Sequence, residues 1–524
     1  MISQRAMARR PAVISSVAVI GSSLPLNFLS FNGPRGLPCR WARSQFAWLS
    51  NRLHAAVLDS PTAAADHAST PLPSSSARWL APAMSVLTAL VVRLPFVLVA
   101  DFPLGDGGLF AQVIDDLRAA GFALPAFTTF NGGSIPLCYP PLALFLAALS
   151  GLPTLQVLLW APFVLSSLVP GAVSVLGRQI LGSEHAGLAT GLVAALLPIP
   201  YWFGLEGGGL TRSLGLLLMV LAVLALLRML DMPSIRLALS TGVLLGASAL
   251  THPEGALVTA AIAIAAAAFS GKLIATRRAC AVAAVAAVAT ILPWLVVVVS
   301  RHGFTPFLSA LRAGDGFGSL ELAGDRLLSW QLAGEPHLTL FAALALLGMP
   351  VAIARGWALP LVWTLLPILL VPRNCRFWAA PGLALLCGAA IMAVWSTLRP
   401  LARSPGHATV AHAVLASCVL AHGIVLSHAW DGRLSLLQPL RREDREACSW
   451  LGAHVRPGEA AAVTGVDPDG LDTLAEWAPY LAGVENILVG QGREWLGDMQ
   501  QVEQHAGHLH DALRTGGGAV SRWL

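Results

Sequence analysis

Long apolar segments separated by short polar connections run through most of the chain. Several of them approach the length of about 20 residues that a helix needs to cross the hydrocarbon core of a membrane. From length and periodicity we place about eleven such segments, at residues 79–100, 154–180, 184–200, 213–229, 237–250, 256–270, 279–300, 338–354, 356–371, 378–397 and 410–430. The pattern predicts an all-α polytopic membrane protein.

The basic residues between these segments predict the side of the membrane on which each connection lies. If the N-terminus is cytoplasmic, every short inside connection carries an arginine or a lysine, as the positive-inside rule requires. These residues are Arg178, Arg228, Arg236, Lys272, Arg277, Arg278, Arg355, Arg399 and Arg403. Residues 140–150 are too short to span and are predicted to form a helix at the outer interface. The C-terminus is therefore expected outside.

The two ends of the chain differ from this middle part. Residues 1–77 are rich first in arginine and then in Pro, Ser and Ala, so we predict a disordered basic cytoplasmic tail. A transit peptide or a mis-assigned start is the alternative. Residues 78–430 form the transmembrane domain, with a first external loop at 101–152. Residues 431–524 combine turn signals with short apolar runs and are expected to form a small α/β external domain.

Composition limits the classes of function. The chain of 524 residues is 56% hydrophobic and 12% charged, with a mean hydropathy of +0.68, which excludes a soluble globular protein and makes membrane lipid a partner. The net charge of +5 is dispersed between apolar segments, so nucleic acid is not expected as a partner. Seven cysteines without a CxxC pair indicate neither a disulfide framework nor a zinc site.

On this topology the conspicuous polar stretches fall on the outer side. They are the loop around Asp106, YWFGLEGGGLTRS at 201–213, THPEG at 251–255, the loop at 301–336, PRNCR at 372–376 and the C-terminal residues. Charges inside the spans are rare, and Arg93 is predicted to extend its guanidinium toward the outer end of its helix. Any chemistry is therefore expected at the outer surface.

Five segments in chain order resemble those of a known superfamily. They are DGGLFAQVIDDLRAAGFALPAFTTFN at 106–131, YPPL at 139–142, GGGLTRS at 207–213, THPEG at 251–255 and EWAPYLAGVENILVGQGREW at 476–495. The chain resembles, over roughly residues 79–500, the GT-C superfamily of membrane glycosyltransferases, and within it a largely uncharacterised bacterial branch with a C-terminal external domain. The resemblance implies a multi-pass protein of the bacterial inner membrane with a periplasmic active site. It also implies transfer of a sugar, with inversion, from a polyprenyl-phosphate-linked donor to an external glycan, lipid or protein.

Asp106 matches the place of the catalytic base of this superfamily, an aspartate of the first external loop. The base accepts the proton of the acceptor while the sugar leaves its lipid phosphate. Gly105, Gly107 and Gly108 leave room for a substrate to approach this carboxylate. The alternative is that Asp106 is the N-cap of a helix that runs to Ala120.

Other carboxylates are weaker candidates for catalysis. Asp101 is the next candidate for the base. Asp115 and Asp116 are adjacent and therefore point about 100° apart on a helix, so one of them is expected in solvent or paired with Arg118. Glu206 is a second candidate carboxylate, for a metal or for sugar hydroxyls, and a solvated loop acid is its alternative.

The GGGLTRS segment precedes a span whose N-terminus faces outside. The free N–H groups near Gly208, a hydroxyl from Thr211 or Ser213, and Arg212 together suit the phosphate of a lipid carrier. The alternative is a tight turn from which Arg212 reaches the lipid headgroups.

Tyr139 of YPPL and His252 of THPEG are further candidates for substrate binding through the resemblance. A structural account of THPEG is sufficient as well, because Pro253 can begin a helix and Glu254 favours its N-terminal dipole. The sequence contains no spacing typical of metal ligands. No cofactor is predicted with certainty, and a divalent metal stays open.

Two further pairs complete the candidate binding residues. Arg373 and Arg376 are three apart, on one face of a helix at the outer surface, where they bind a phosphate or act as interfacial anchors. Trp477 and Trp495 of the C-terminal domain stack on a sugar ring or belong to the core of that domain.

Two other classes of function remain as alternatives. A transporter or lipid flippase would place polar groups near the bilayer midplane on interrupted helices, usually with internal repeats, and the sequence has neither feature. A non-catalytic assembly protein on the same scaffold would not require the carboxylate and arginine clusters.

The topology has a direct test. A reporter fused after Trp430 should be active only outside the cytoplasm, because about eleven crossings invert a cytoplasmic N-terminus. A fusion at this position that is active in the cytoplasm would contradict an external site.

Overall fold

The computed structural model describes residues 77–313, 319–333, 339–398, 440–456, 459–463 and 473–502, with a few isolated positions beside these ranges. The predicted N-terminal tail, up to residue 76, and the predicted span at 410–430 lie outside the described residues.

The described chain is almost entirely helical. Its α-helices are α1 (Ala77–Val99), α2 (Gly108–Ala119), α3 (Leu142–Leu149), α4 (Thr154–Leu181), α5 (Glu184–Leu196), α6 (Pro198–Leu205), α7 (Gly209–Asp231), α8 (Ile235–Ala249), α9 (Pro253–Phe269), α10 (Leu273–His302), α11 (Thr305–Ala313), α12 (Leu320–Ser329), α13 (Leu340–Ala354), α14 (Ala358–Leu370), α15 (Cys375–Trp378), α16 (Ala380–Leu398), α17 (Arg442–His454) and α18 (Thr473–Ala482). Short 3-10 turns occur at Phe130–Gly133, Gln331–Ala333 and Arg493–Trp495.

Ten of the predicted spans coincide with apolar helices. Five helices are long and apolar enough to cross a membrane: Trp79–Val99 within α1, α4, α7, α10 and Ala380–Thr397 within α16. The pair α5 and α6 is bent by 54° and forms a sixth span if it is counted as one. The remaining four, α8, α9, α13 and α14, are shorter apolar helices of 10–17 residues. An all-α membrane fold is therefore confirmed, with several helices below the usual spanning length of about 20 residues.

Small residues let the helices of the bundle approach closely. A Cβ on Gly191 of α5 would lie 2.1 Å from Ser85 Oγ of α1, and a Cβ on Gly171 of α4 would lie 2.7 Å from a methyl carbon of Val86. The helices α1, α4 and α5 therefore contact one another through their backbones, as is common between membrane helices.

Arg93 is buried inside the bundle, contrary to the prediction that it extends outward. Its side chain is 1% exposed, it donates to the carbonyl of Ser166 at 2.5 Å, and its guanidinium carbon lies 5.6 Å from the ring centroid of Tyr201. The carbonyl of Ser166 is available because Pro170, four residues later in α4, has no N–H to donate to it. The guanidinium therefore binds a backbone carbonyl of the protein in place of the lipid headgroups.

The short helix predicted at 140–150 is present as α3. Its first N–H, on Leu142, donates to the carbonyl of Leu250 at 2.8 Å. This bond fixes α3 to the end of α8, so the first loop is attached to the same end of the bundle as the THPEG segment.

The described residues of the C-terminal part contain both helices and a short pair of strands. It contains α17, α18 and one parallel pair of two-residue strands, β1 (Ala460–Ala461) and β2 (Glu485–Asn486). Asn486 is buried, and its amide group donates to the carbonyls of Val463 and Ala475. The strand pair is held by this side chain as well as by its own ladder.

Candidate functional site

Two glycine-containing loops meet at one end of the bundle. The loop after α1 and the loop before α7 pair in parallel at Leu104 and Glu206, and the N–H of Gly207 donates to the carbonyl of Leu104 at 2.8 Å. A Cβ on Gly207 would lie 2.2 Å from the carbonyl oxygen of Asp106. Only glycine allows this approach of two backbones, and it brings the two candidate motifs into contact.

Asp106 lies at the N-terminus of α7. Its Oδ1 accepts from the N–H of Gly208 at 2.9 Å, and both of its oxygens lie 3.2 Å from Nη2 of Arg212. The N-cap of α2 is Gly107, which makes no side-chain cap, so the alternative in which Asp106 caps α2 is wrong. The carboxylate remains 20% exposed and can be reached by a ligand.

Glu206 shares the same guanidinium nitrogen. Nη2 of Arg212 donates to its Oε2 at 2.9 Å, and the side chain of Glu206 is 2% exposed. The expectations of a solvated acid and of an arginine that reaches the headgroups are therefore wrong. Among the described residues, Glu206 Oε1 and Arg212 Nε are buried without a hydrogen-bond partner, so the pair keeps unused acceptor and donor capacity.

Burial controls the protonation of Glu206. It raises the pKa of this carboxyl from 4.5 to about 8, with the charge of Asp106 acting in the same direction and that of Arg212 opposing it. At neutral pH the protonated form of Glu206 is therefore favoured. With Glu206 neutral, the positive charge of Arg212 is balanced by the Asp106 carboxylate within this cluster.

The YPPL and THPEG segments form a wall of the site beside the cluster of Asp106, Glu206 and Arg212. The hydroxyl of Tyr139 is hydrogen-bonded to Oγ1 of Thr211 at 3.0 Å, and its ring centroid lies 6.1 Å from that of His252. Thr211 donates to the carbonyl of Gly208 and makes no N-terminal cap. Burial lowers the pKa of His252 to about 3, helped by the charge of Arg212. Its neutral ring has a buried Nδ1 with no partner within the described part of the chain.

The PRNCR segment joins this wall through Glu254. The amide of Asn374 donates to both oxygens of Glu254 at 2.9 and 3.1 Å, and the indole N–H of Trp378 donates to its Oε2 at 3.0 Å. Glu254 thus holds two segments together, which agrees with a structural role for THPEG.

Arg373 and Arg376 have different surroundings. Arg373 is exposed and precedes α15, which begins at Cys375, so the expectation of one shared helical face is wrong. Burial raises the pKa of Glu494 to about 6, and the positive charge of Arg373 opposes this shift. Arg376 is partly buried, which lowers its pKa, and the charge of Arg326 acts in the same direction.

The other aspartates of the first loop have partners of their own. Asp101 forms an ion pair with Arg445 of α17 and is not part of the Arg212 cluster. Asp115 accepts from Tyr480 and pairs with Arg118 at 3.6 Å. Asp116 is buried and accepts from the hydroxyls of Thr128 and Thr129. Asp115 and Asp116 point apart, as predicted from their adjacency.

Trp477 and Trp495 are both buried in this structure. The indole N–H of Trp477 donates to the carbonyl of Gly105 at 2.8 Å, and its ring meets Phe102 edge-on. Trp495 packs against Tyr139 and Phe307. Both side chains therefore have the core environment that the sequence left as the alternative to sugar stacking.

The C-terminal segment contributes two further side chains to this site that were not predicted from the sequence. Gln491 accepts from the N–H of Leu109, and Glu494 lies within electrostatic range of Arg373 and of the Tyr139 hydroxyl. Both belong to the quoted segment EWAPYLAGVENILVGQGREW, from which only the tryptophans were selected. Within the described ranges, no group of three or more His, Cys, Asp or Glu side chains could hold a metal ion.

Comparison with known proteins identifies the fold. No protein-family model matches the chain, and no curated protein sequence matches it. A solved structure of the archaeal oligosaccharyltransferase AglB from Archaeoglobus fulgidus, in complex with an inhibitory peptide and a dolichol-phosphate, is similar with a TM-score of 0.52 and 14% identity over 78% of this chain. The chain spans 64% of the length of AglB, which is less than two thirds.

ArnT from Cupriavidus metallidurans, solved bound to undecaprenyl phosphate, is similar with a TM-score of 0.51 and 17% identity. The likeness covers 81% of this chain and 88% of ArnT. Both proteins are membrane glycosyltransferases of the GT-C superfamily. The chain therefore has the GT-C fold, as its ordered motifs predicted.

Proposed function

We propose that the protein is a membrane glycosyltransferase that transfers a sugar from a polyprenyl-phosphate-linked donor to an external glycan, lipid or protein. The observation that carries the proposal is the contact of Asp106 with the N-terminus of α7 and with Arg212, in a chain with the GT-C fold. It joins a reachable carboxylate to a cation and to free polar atoms at one end of a membrane bundle.

Asp106 is the proposed base. It takes the proton of the acceptor hydroxyl while the acceptor oxygen attacks the anomeric carbon of the sugar, and the bond from that carbon to the phosphate oxygen breaks. The phosphate leaves on its lipid, and attack from the opposite face inverts the anomeric centre. Gly208 and Arg212 each bind the carboxylate and hold its orientation.

Arg212, His252 and Arg373 are the proposed contacts of the carrier phosphate. Arg212 Nε and His252 Nδ1 are buried and have no partner among the described side chains and backbone, which leaves them for groups of a ligand. Arg373 is exposed, next to the same wall. A guanidinium is well suited to two phosphate oxygens, and the hydrogen-bonded pair of Tyr139 and Thr211 lies beside His252.

Glu206 is proposed to serve this site as a neutral acid. With Glu206 protonated, the charges of Asp106 and Arg212 cancel, and a phosphate that approaches meets no net negative charge. An ionised Glu206 would add a second carboxylate within contact of Arg212, and like charges at such short range oppose anion binding. The raised pKa of Glu206 supports this assignment.

Asp106→Asn tests the base. The amide has nearly the same size and can still accept from Gly208, but it cannot take a proton at neutral pH. We expect normal accumulation in the membrane and a loss of turnover of about 100-fold or more. The measurement is mass spectrometry of envelope glycans and lipid-linked sugars in a deletion strain complemented with each variant.

Asp101→Asn, Asp115→Asn and Asp116→Asn are the matched controls at equal expression. Near-normal transfer by Asp106→Asn, with loss in one of the controls, would show that the base is misassigned. If all four variants transfer normally, a first-loop aspartate is not the base. An unchanged glycome in the deletion strain together with loss of a solute flux would favour a transporter.

Replacement of the arginines near PRNCR tests the phosphate site. Arg373→Gln should raise the donor KM by about tenfold or more with little change in kcat, since it removes a charge-assisted contact to the bound phosphate. Arg376→Gln removes a cation with different neighbours and should change donor KM less. Equal donor saturation curves for wild type and Arg373→Gln would reduce Arg373 to an interfacial residue.

The raised pKa of Glu206 predicts a pH dependence of stability. Its pKa is about 8 in the folded protein against 4.5 as the ordinary value, so its contribution to the free energy of unfolding is fully present below pH 4.5 and lost as the pH rises through 8. Glu206→Gln cannot ionise. We expect the Tm of the purified variant to increase relative to that of wild type as the pH rises across this interval. A difference in Tm that does not depend on pH would contradict burial of a neutral acid.

A further inference from the structure

Trp477 of α18 contacts the backbone of the loop that carries Asp106. Its side chain is 0% exposed, its indole N–H donates to the carbonyl of Gly105 at 2.8 Å, and its ring packs edge-on against Phe102 at 4.7 Å between centroids. A buried indole N–H that finds a carbonyl is fully satisfied, and the bond has a fixed direction. Trp477 therefore constrains the residue directly before Asp106.

The glycines beside Asp106 leave space that other parts of the protein fill. A Cβ on Gly107 would lie 2.8 Å from the ring of Trp477, and a Cβ on Gly108 would lie 2.1 Å from the carbonyl oxygen of Glu476. On the other side, a Cβ on Gly105 would lie 2.8 Å from the side chain of Glu206. Trp477 and Glu206 thus enclose the turn from two sides and occupy the space that was predicted for the substrate.

The turn adopts backbone conformations that favour glycine. Gly105 has a φ of +56° and Gly107 a φ of +151°, a region in which glycine has the greatest freedom. The helix that follows has no cap of its own, and the N–H of Leu109 donates instead to Oε1 of Gln491 at 3.2 Å. The same C-terminal segment thus binds the loop on both sides of Asp106.

We infer that Trp477 and Gln491 are positioning residues for Asp106, so that the C-terminal segment is required for the chemistry and not only for folding. The inference rests on the proposed function. The glycine-rich turn has many accessible conformations, and the bonds from Trp477 and Gln491 select the one in which the carboxylate faces Gly208 and Arg212. A donor binds without this selection, but proton transfer depends on it, since catalysis is sensitive to displacements of about 1 Å.

Trp477→Phe keeps a large aromatic ring and removes the N–H donor. We expect kcat to fall about tenfold while the donor KM stays within about twofold, because the loss of one buried hydrogen bond affects the orientation of the base. Trp450→Phe is the matched control, since Trp450 of α17 is 61% exposed and stacks on His454. A kcat for Trp477→Phe equal to that of Trp450→Phe would overturn the inference.

Gln491 supplies a second test with a conservative rescue. Gln491→Ala removes the acceptor of the Leu109 N–H and should lower kcat, whereas Gln491→Glu keeps an acceptor oxygen at the helix N-terminus and should restore it. A merely structural role would instead lower the yield of folded protein without altering kcat per molecule. Equal kcat values in both variants would count against positioning, even if Trp477→Phe fails to fold.

Hydrogen exchange of the purified protein separates this inference from the proposed function. In Trp477→Phe the amides of residues 104–110 should exchange faster, with those of α7 unchanged beyond its first turn. Unchanged exchange in this loop would overturn the role of Trp477 whatever the activity. If wild type transfers no sugar, the proposed function fails and exchange still decides whether Trp477 holds the loop. If Asp106→Asn is inactive and Trp477→Phe is normal, the function stands and the inference fails.

Discussion

The site depends on one guanidinium nitrogen that two carboxylates share. Nη2 of Arg212 binds both Asp106 and Glu206 in a largely buried position at the N-terminus of α7. A single cation cannot balance two buried anions without a high cost in desolvation, so one carboxyl is driven toward its neutral form. The different burial of the two side chains decides which one, since Glu206 is enclosed and Asp106 is reachable. An accessible carboxylate beside a neutral acid follows from this constraint.

The contact requires segments that lie far apart in the chain. The backbones of the loop around Asp106 and of the loop before Arg212 are in contact because glycine occupies the positions where they meet. A C-terminal helix packs against the opposite side of the Asp106 loop through Trp477. The membrane bundle supplies rigid ends for these loops, and the C-terminal part supplies the bonds that the glycine-rich turn lacks. Fold and site are thus coupled through close backbone packing.

The fold could be predicted from the sequence because the length of an apolar segment is a local property of the chain. Ten of the predicted spans coincide with helices, and the ordered motifs indicated the GT-C fold before any comparison. Partner choice is not local. Arg93 turns inward because Pro170 frees a carbonyl on another helix, and Arg373 leaves the predicted helical face because α15 begins later. The resemblance indicated Asp106 and the GGGLTRS segment indicated Arg212 as candidates, but their contact beside Gly208 depends on the packing of loops about 100 residues apart.

The most direct test of the central claim is an experimental structure of the purified protein with bound undecaprenyl phosphate. The account predicts density for the phosphate within hydrogen-bonding distance of Arg212 or His252, with the Asp106 carboxylate facing the position of the sugar. Lipid phosphate bound only at the opposite end of the bundle, near the ion pair of Asp231 and Lys272, would contradict it. So would a bound phosphate that leaves Arg212 and His252 without contacts to the ligand.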